Sequence, residues 1–447
     1  MTTSKTFTWQ QLSRLNTEQN AHLAIHGKVY DVTNFLLRHP GGKELLLIGA
    51  GRDVTLVFET YHAFSDRAHK YLDQFCVGEL VSNELPTFNK TGPFFETVKN
   101  RVDKYFKDTK QNPKFSWWMM LRYALIPIVA LVSWYSQVIL FPDNFVTGCV
   151  AAVILGWCCA LIGMVNLHDA SHFAITRSPF VWKLVGSVHD FLNGSSLLVW
   201  THQHVLGHHP YTNIDGADPD IVTSHEPADL RRIKWSQKWL PMYLYQHIYV
   251  PLIYCFLGIK TRFQDVTILF VIKANGAIRI NNPSTTNLAI FICGKLVFVF
   301  YRIIIPLAIL SFWKTVLYFI IADLVSSYWL ALVFQASHVV SEVDWPEPDK
   351  EGKIHQDWAE MQIQTTQDYA TDSWFWNTFT GALNHQTTHH LFPGISQFYY
   401  PQITPIVRDA CREFNIRYNY KPTFSQALGA HIEHLRRLGQ NKKTRQE

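Results

Sequence analysis

The sequence predicts a chain of two parts. A small α+β domain comes first, followed by an all-α polytopic membrane body of two transmembrane hairpins, about four spans, with a histidine-rich cap. Three observations carry this. Charged residues are only 17% of the 447, against roughly 25% in ordinary globular proteins, and the deficit is concentrated in long apolar runs. Residues from about 7 to 80 are charged, well mixed and free of such runs. Histidines, 21 in all, cluster where the apolar runs end.

Composition also excludes. A formal net charge of +5 is too mild for a nucleic-acid partner, and no Arg/Lys stripe with interleaved aromatics occurs. The seven cysteines form no Cys-x-x-Cys pair and read as small buried hydrophobes. The N-terminus lacks the apolar core of a cleaved signal peptide.

In the first domain, residues 28–33 alternate as a strand should. His39-Pro-Gly-Gly42 then makes a tight turn, where proline fixes one φ and glycine permits others. A helical stretch, 51–61, delivers His62. This segment resembles cytochrome b5, and the resemblance implies haem b held between His39 and His62. Two imidazoles would fill both axial positions, so such a haem moves electrons and does not activate O2. Val32, Leu46, Val54 and Phe58 are the expected pocket walls. Glu44, Asp53, Glu59 and Asp66 form a candidate acidic rim, and His69 is expected to be exposed.

Domain boundaries follow as 5–81 for this domain, 82–116 for a polar linker, 117–425 for the membrane domain and 426–447 for a basic tail. The linker carries Lys99, Arg101, Lys104, Lys107, Lys110 and Lys114, which places its side of the membrane in the cytoplasm. The runs 123–141 and 146–165 are long enough to span and are joined by Pro142-Asp-Asn144. The runs 288–310 and 316–335 form the second hairpin. Residues 180–200 and 239–259 are expected to lie at the membrane surface; a span at 239–259 would put the later histidines on the wrong side.

Four segments then share one face: His168/His172, His204/His208/His209, His338 and His389/His390. Residues four apart meet on one side of a helix, and a neutral nitrogen set of this size can hold two metals, iron among those that imidazole suits. His202, two before His204, points about 200° away on a helix and is expected not to bind. No Glu-x-x-His pair occurs in the membrane body, unlike the carboxylate-rich di-iron bundles. Beside the boxes, Asp169 is either an outer-sphere acceptor or a helix cap. Gln386 is a weak ligand, a donor to bound water or a lost ligand position. His385 could substitute for it. His189, His225, His247 and His355 read as polar-face histidines.

The boxes His-x-x-x-His, His-x-x-x-His-His and Gln-x-x-His-His resemble those of membrane fatty-acyl desaturases over nearly the entire chain. With an N-terminal cytochrome b5 domain and Gln386 in the last box, the pattern is similar to the front-end subgroup, and its wording is most like fungal delta-5 members. The resemblance implies two non-haem irons bound by the eight histidines, with Gln386 beside them. It also implies O2 as oxidant and NADH-cytochrome b5 reductase as electron source. The substrate would be a long-chain polyunsaturated acyl lipid or acyl-CoA, and the setting the endoplasmic reticulum membrane with haem and boxes cytosolic. An unactivated methylene has no acidic proton, so the chemistry falls to a cofactor; the fused haem domain raises the local concentration of the electron donor. Trp200, Tyr328, Trp329 and Phe334 are candidate linings of an acyl tunnel. Delta-6 or delta-8 specificity, a sphingolipid desaturase, a b5-fused hydroxylase and a non-enzymatic haem carrier are the competing readings.

Overall fold

A computed structural model describes residues 5–89, 91–221 and 230–440. Its first unit is a five-stranded sheet. Antiparallel pairing sets Leu23 against Tyr30 and Ala24 against Val29, while Thr6 pairs in parallel with Glu79. Helices Lys43–Gly49 and Thr55–Tyr61 cover one face. Between them and the sheet lie Leu23, Val32, Leu36 and Val54, with Leu46 and Phe58 packed alongside. The four expected pocket walls therefore share one apolar cluster. Gly42 has φ +88°, and a Cβ there would come within 2.8 Å of Pro179, so the turn needs glycine both for its dihedral and for a close approach to the membrane domain.

Four helices among the described residues are long and apolar enough to cross a membrane: Trp117–Leu140, Phe145–Ser171, Thr285–Ile309 and Phe312–His338. The return helices begin with caps, Asn144 accepting from Thr147 N and Ser311 from Lys314 N, which satisfies amide groups the helix starts leave unpaired. The second and fourth helices pack closely because Gly148 and Gly156 are small; a Cβ on Gly156 would lie 2.4 Å from the carbonyl oxygen of Ala322. Small residues at such crossings are how membrane helices approach. Outward-facing Leu125, Ile128, Val132, Leu296 and Ile320 are exposed, as a lipid-facing surface requires.

Several expectations change. Residues 82–116 are not merely a linker, since they hold helix Pro93–Thr109, which buries Phe94, Phe95, Val98, Val102 and Phe106 in a core with Trp358, Tyr399, Ile403 and Val407. The boundary at 425/426 falls inside helix Phe424–Gly439, whose His431, Leu435 and Leu438 are buried; the basic end, 441–447, lies outside the described residues. Residues 239–259 break into short helices around Pro241 and Pro251, and none is a candidate span. His189 is buried and bonds to Asn193, because its helix is covered on that side, so it is no polar-face histidine. His225 lies outside the described residues.

The haem-type domain sits on the histidine-bearing end of the membrane body. Arg52 donates to the Arg279 carbonyl at 2.9 Å and to Asn281 at 3.0 Å, and Asn281 donates back to the Ala50 carbonyl at 2.9 Å. Phe64 stacks on Phe392. The expected acidic rim is not free: Glu44 pairs with Lys183, Asp53 is half-buried and accepts from the Thr55 hydroxyl and backbone N–H, and Glu59 binds His26 and His69. The side chain of Asp66 lies outside the described residues. His69 is exposed, as expected.

Candidate metal centre

Four chain segments deliver the histidines. The second membrane helix ends in a π-helical turn, Ile162–Leu167, and presents His168 and His172. A second π segment, His202–His208, carries the middle box. His338 is the last residue of the fourth membrane helix. Helix Gln386–Leu391 supplies His389 and His390. π turns of this kind recur at functional sites. All eight histidines are buried, none more than 7% exposed.

They form two adjoining groups. His168, His172, His204 and His389 offer ligand nitrogens within 4.8 Å of one another, and so do His208, His338 and His390; His209, with His389 and His390, lies between. His204 Nε2 is 3.2 Å from both His168 Nε2 and His209 Nε2. His204 and His208 are stacked neighbours, ring centroids 5.4 Å apart, as their spacing predicts. They also share a set with Asp220, whose carboxylate lies within 4.8 Å of both ligand nitrogens, so the middle box bridges the two groups and is not wrapped round one.

Outer partners fix the rings. His389 Nδ1 meets Tyr400 Oη at 3.0 Å, His390 Nδ1 meets Gln362 Oε1 at 2.8 Å, and His208 Nδ1 meets Asp218 Oδ2 at 3.1 Å. Each leaves Nε2 turned inward, the arrangement that orients ligand imidazoles. Nε2 of His172 and of His389 find no protein partner among the described residues, although buried polar atoms are nearly always satisfied. A metal would satisfy them. Burial, reinforced by neighbouring imidazoles, holds His204, His209, His389 and His390 well below the usual histidine range, hence neutral and able to ligate. His208 differs. Burial would lower it, but the Asp218 and Asp220 carboxylates outweigh burial and push it up to about 9.

The Gln386 amide lies 2.8 Å from His338 Nε2 and 3.2 Å from His390 Nε2, which puts it in the second group. Its Oε1 is buried and finds no partner among the described residues, a neutral oxygen left for a metal or water. His385 is not its substitute: Nδ1 bonds Thr404 and Nε2 bonds Asn377, so both nitrogens are used. His202 gives Nδ1 to the Leu198 carbonyl and joins neither group. Asp169 accepts from Tyr123 and touches no box imidazole. Trp200 stacks on His204, with Phe334 beyond it. Trp329 is tied to the Phe379 carbonyl. Tyr328 instead turns to the Leu252 carbonyl at the outer side and drops out as a tunnel lining.

Sequence reasoning missed the outer partners. Asp218-Pro-Asp220, ten residues beyond His208, was a readable signal; Gln362 and Tyr400 carry none.

In the first domain the rings of His39 and His62 face each other with centroids 6.4 Å apart, room for a metal bond of about 2 Å on either side. His39 Nδ1 binds the Gly42 carbonyl and His62 Nδ1 the Phe58 carbonyl, leaving Nε2 of each toward the gap. Burial lowers His62 to about 4.

The model of the fatty acid desaturase family matches residues 144–422. The chain belongs to the fatty acid desaturase family. Residues 8–81 match the cytochrome b5-like heme/steroid binding domain. Among curated relatives, an acyl-lipid (8-3)-desaturase of Mortierella alpina is 52% identical, covering 97% of both chains. Delta(5) fatty acid desaturase A of Dictyostelium discoideum is 42% identical, over 98% of this chain and 94% of its own. An sn-1 linoleoyl-lipid 6-desaturase of Synechocystis is 30% identical over 80% of this chain and 99% of its own. The chain is thus a multi-pass membrane desaturase with a fused haem-binding domain. The family is di-iron, and the two histidine groups fit that requirement.

Proposed function

We propose that the chain is a front-end, delta-5 desaturase acting on a C20 polyunsaturated acyl lipid or acyl-CoA. O2 is the oxidant, and electrons pass from NADH through cytochrome b5 reductase to the fused haem. One observation carries this: two adjoining, buried imidazole groups at the shared end of both hairpins, with the haem-type domain docked on them. The delta-5 and (8-3) names of the relatives support the regiochemistry. In this reading His168, His172, His204, His208, His209, His338, His389 and His390 hold two irons with Gln386 at the second, and His39 and His62 hold haem b. The basic helix before the first span favours a cytosolic haem domain, in the endoplasmic reticulum membrane.

The irons with O2 supply the oxidising power that removes hydrogen from an unactivated methylene pair. The protein supplies placement. Trp200 and Phe334 offer an apolar wall directly beside His204, where an acyl chain would lie against the metal face. Tyr400, Gln362 and Asp218 hold imidazoles by their outer nitrogens, so the ligand set is fixed before substrate arrives. Burial of the cluster excludes bulk water, which protects a strong oxidant from side reactions.

Expression in yeast fed a panel of C20 and C18 polyunsaturated acids tests this, with product double bonds located by mass spectrometry. A new delta-5 bond supports it. A delta-6 or delta-8 bond, a hydroxy acid, an altered long-chain base or no product overturns it.

A further inference from the structure

The helix that delivers His62 ends against the iron-side histidines. Tyr61, the residue before His62, places its Oη 2.7 Å from Nδ1 of His172. The two rings lie nearly parallel, 18° between planes at 6.4 Å. A tyrosine hydroxyl both donates and accepts and carries its proton at neutral pH, so the bond is that of a neutral hydroxyl. Nothing crowds the ring away: Gly394 leaves it room, since a Cβ there would sit 3.3 Å from Tyr61 Cδ1. His172 is held at Nδ1, and its Nε2 finds no protein partner among the described residues.

We propose that Tyr61 is a positioning residue that couples the two redox sites of the chain. It fixes the His172 imidazole with Nε2 toward iron and completes a bonded path from His62 to His172. The inference rests on the reading of His62 as haem ligand and His172 as iron ligand. The path runs through the 61–62 backbone, the phenol ring and one hydrogen bond. The neighbouring contact of Phe64 with Phe392 has ring centroids 5.9 Å apart and includes a gap with no bond across it. In each transfer a ferrous haem loses one electron and becomes ferric, and one ferric iron of the histidine site becomes ferrous. No bond forms or breaks, and no proton leaves Tyr61.

The test uses the full-length enzyme under anaerobic conditions, with the haem photoreduced and its absorbance followed as the electron moves on. In wild type the iron-loaded enzyme shows a reoxidation phase that enzyme lacking non-haem iron does not. Tyr61→Phe keeps the ring and removes the hydroxyl. It is expected to slow that phase about tenfold or more, the scale on which outer partners of ligand imidazoles act. The haem spectrum and the rate of haem reduction by the reductase stay as in wild type, and the variant is compared after loading to the wild-type iron content. Phe64→Leu, at the same docking face, keeps the wild-type rate. An unchanged rate in Tyr61→Phe with spectrum and iron intact overturns the proposal, as does equal slowing in Phe64→Leu. A wild-type enzyme without a bis-imidazole haem spectrum, or without non-haem iron, instead removes the ligand reading beneath it.

Discussion

Asp218 Oδ2 lies 3.1 Å from Nδ1 of His208, and the same carboxylate accepts from the backbone N–H of Asn213 at 2.9 Å. Asn213 in turn donates to the carbonyl of His338. One buried carboxylate therefore ties together two histidines of the second group, although it belongs to neither box. Removing it as Asp218→Asn is expected to weaken metal binding at that group by about 10–100-fold, the usual effect of losing an outer partner. Iron per purified chain, measured beside desaturation in cells, checks this.

The same pair sets a pH dependence for loading. His208 is raised to about 9, so in the metal-free protein it holds a proton at neutral pH that metal must displace. Iron uptake by the apoprotein should strengthen as pH rises toward about 9. In Asp218→Asn, with the larger of the two raising charges gone and Asp220 left, the dependence should move to lower pH. Iron titration of apoprotein across that range, wild type against variant, decides it.

The other buried imidazoles act in the opposite sense. His204, His209, His389 and His390 are held well below the ordinary histidine value of about 6.5 by burial first and by neighbouring imidazoles second. Below 6.5 the unfolded chain takes up protons that the folded one cannot, so stability falls as pH drops through that value. The loss is at most about 1.4 kcal/mol per histidine per pH unit. The Tm of metal-free protein in detergent should therefore decrease from pH 6.5 downward, and a flat profile there would contradict the neutral assignment.

Gln386 and His385 are neighbours with opposite expectations. Gln386→Ala should lower iron at the second group, because the amide faces His338 and His390. His385→Ala should keep the iron and lose stability, about 1–3 kcal/mol for the buried partners it leaves at Thr404 and Asn377. Metal analysis with thermal unfolding on both variants separates them.

His39→Ala or His62→Ala should abolish the bis-imidazole haem spectrum while leaving the histidine irons in place, since the two sites share no ligand. Desaturation should then fall unless a separate cytochrome b5 is supplied. Optical spectra and iron content of the two variants provide the check.

Much of this was legible because the chemistry sits in contiguous boxes. The eight histidines, the His39-Pro-Gly-Gly42 turn and both hairpins are local patterns, and the structure brings all eight histidines together. Helix Pro93–Thr109 was equally local, with Phe94, Phe95, Val98, Val102 and Phe106 at helical spacing, but its basic residues masked the apolar stripe. Tyr61, Gln362 and Tyr400 were illegible for another reason. Each acts on a ring far away in the chain, and a single tyrosine or glutamine has no spacing that announces its partner.

Two metal sites built from four separate chain segments are tested most directly by counting iron. Active purified enzyme should carry two non-haem irons per chain beside one haem, and His338→Ala, which touches only the second group, should lose the iron of that group together with all desaturation. Active enzyme holding well under two non-haem irons, or a fully loaded and active His338→Ala, would contradict it.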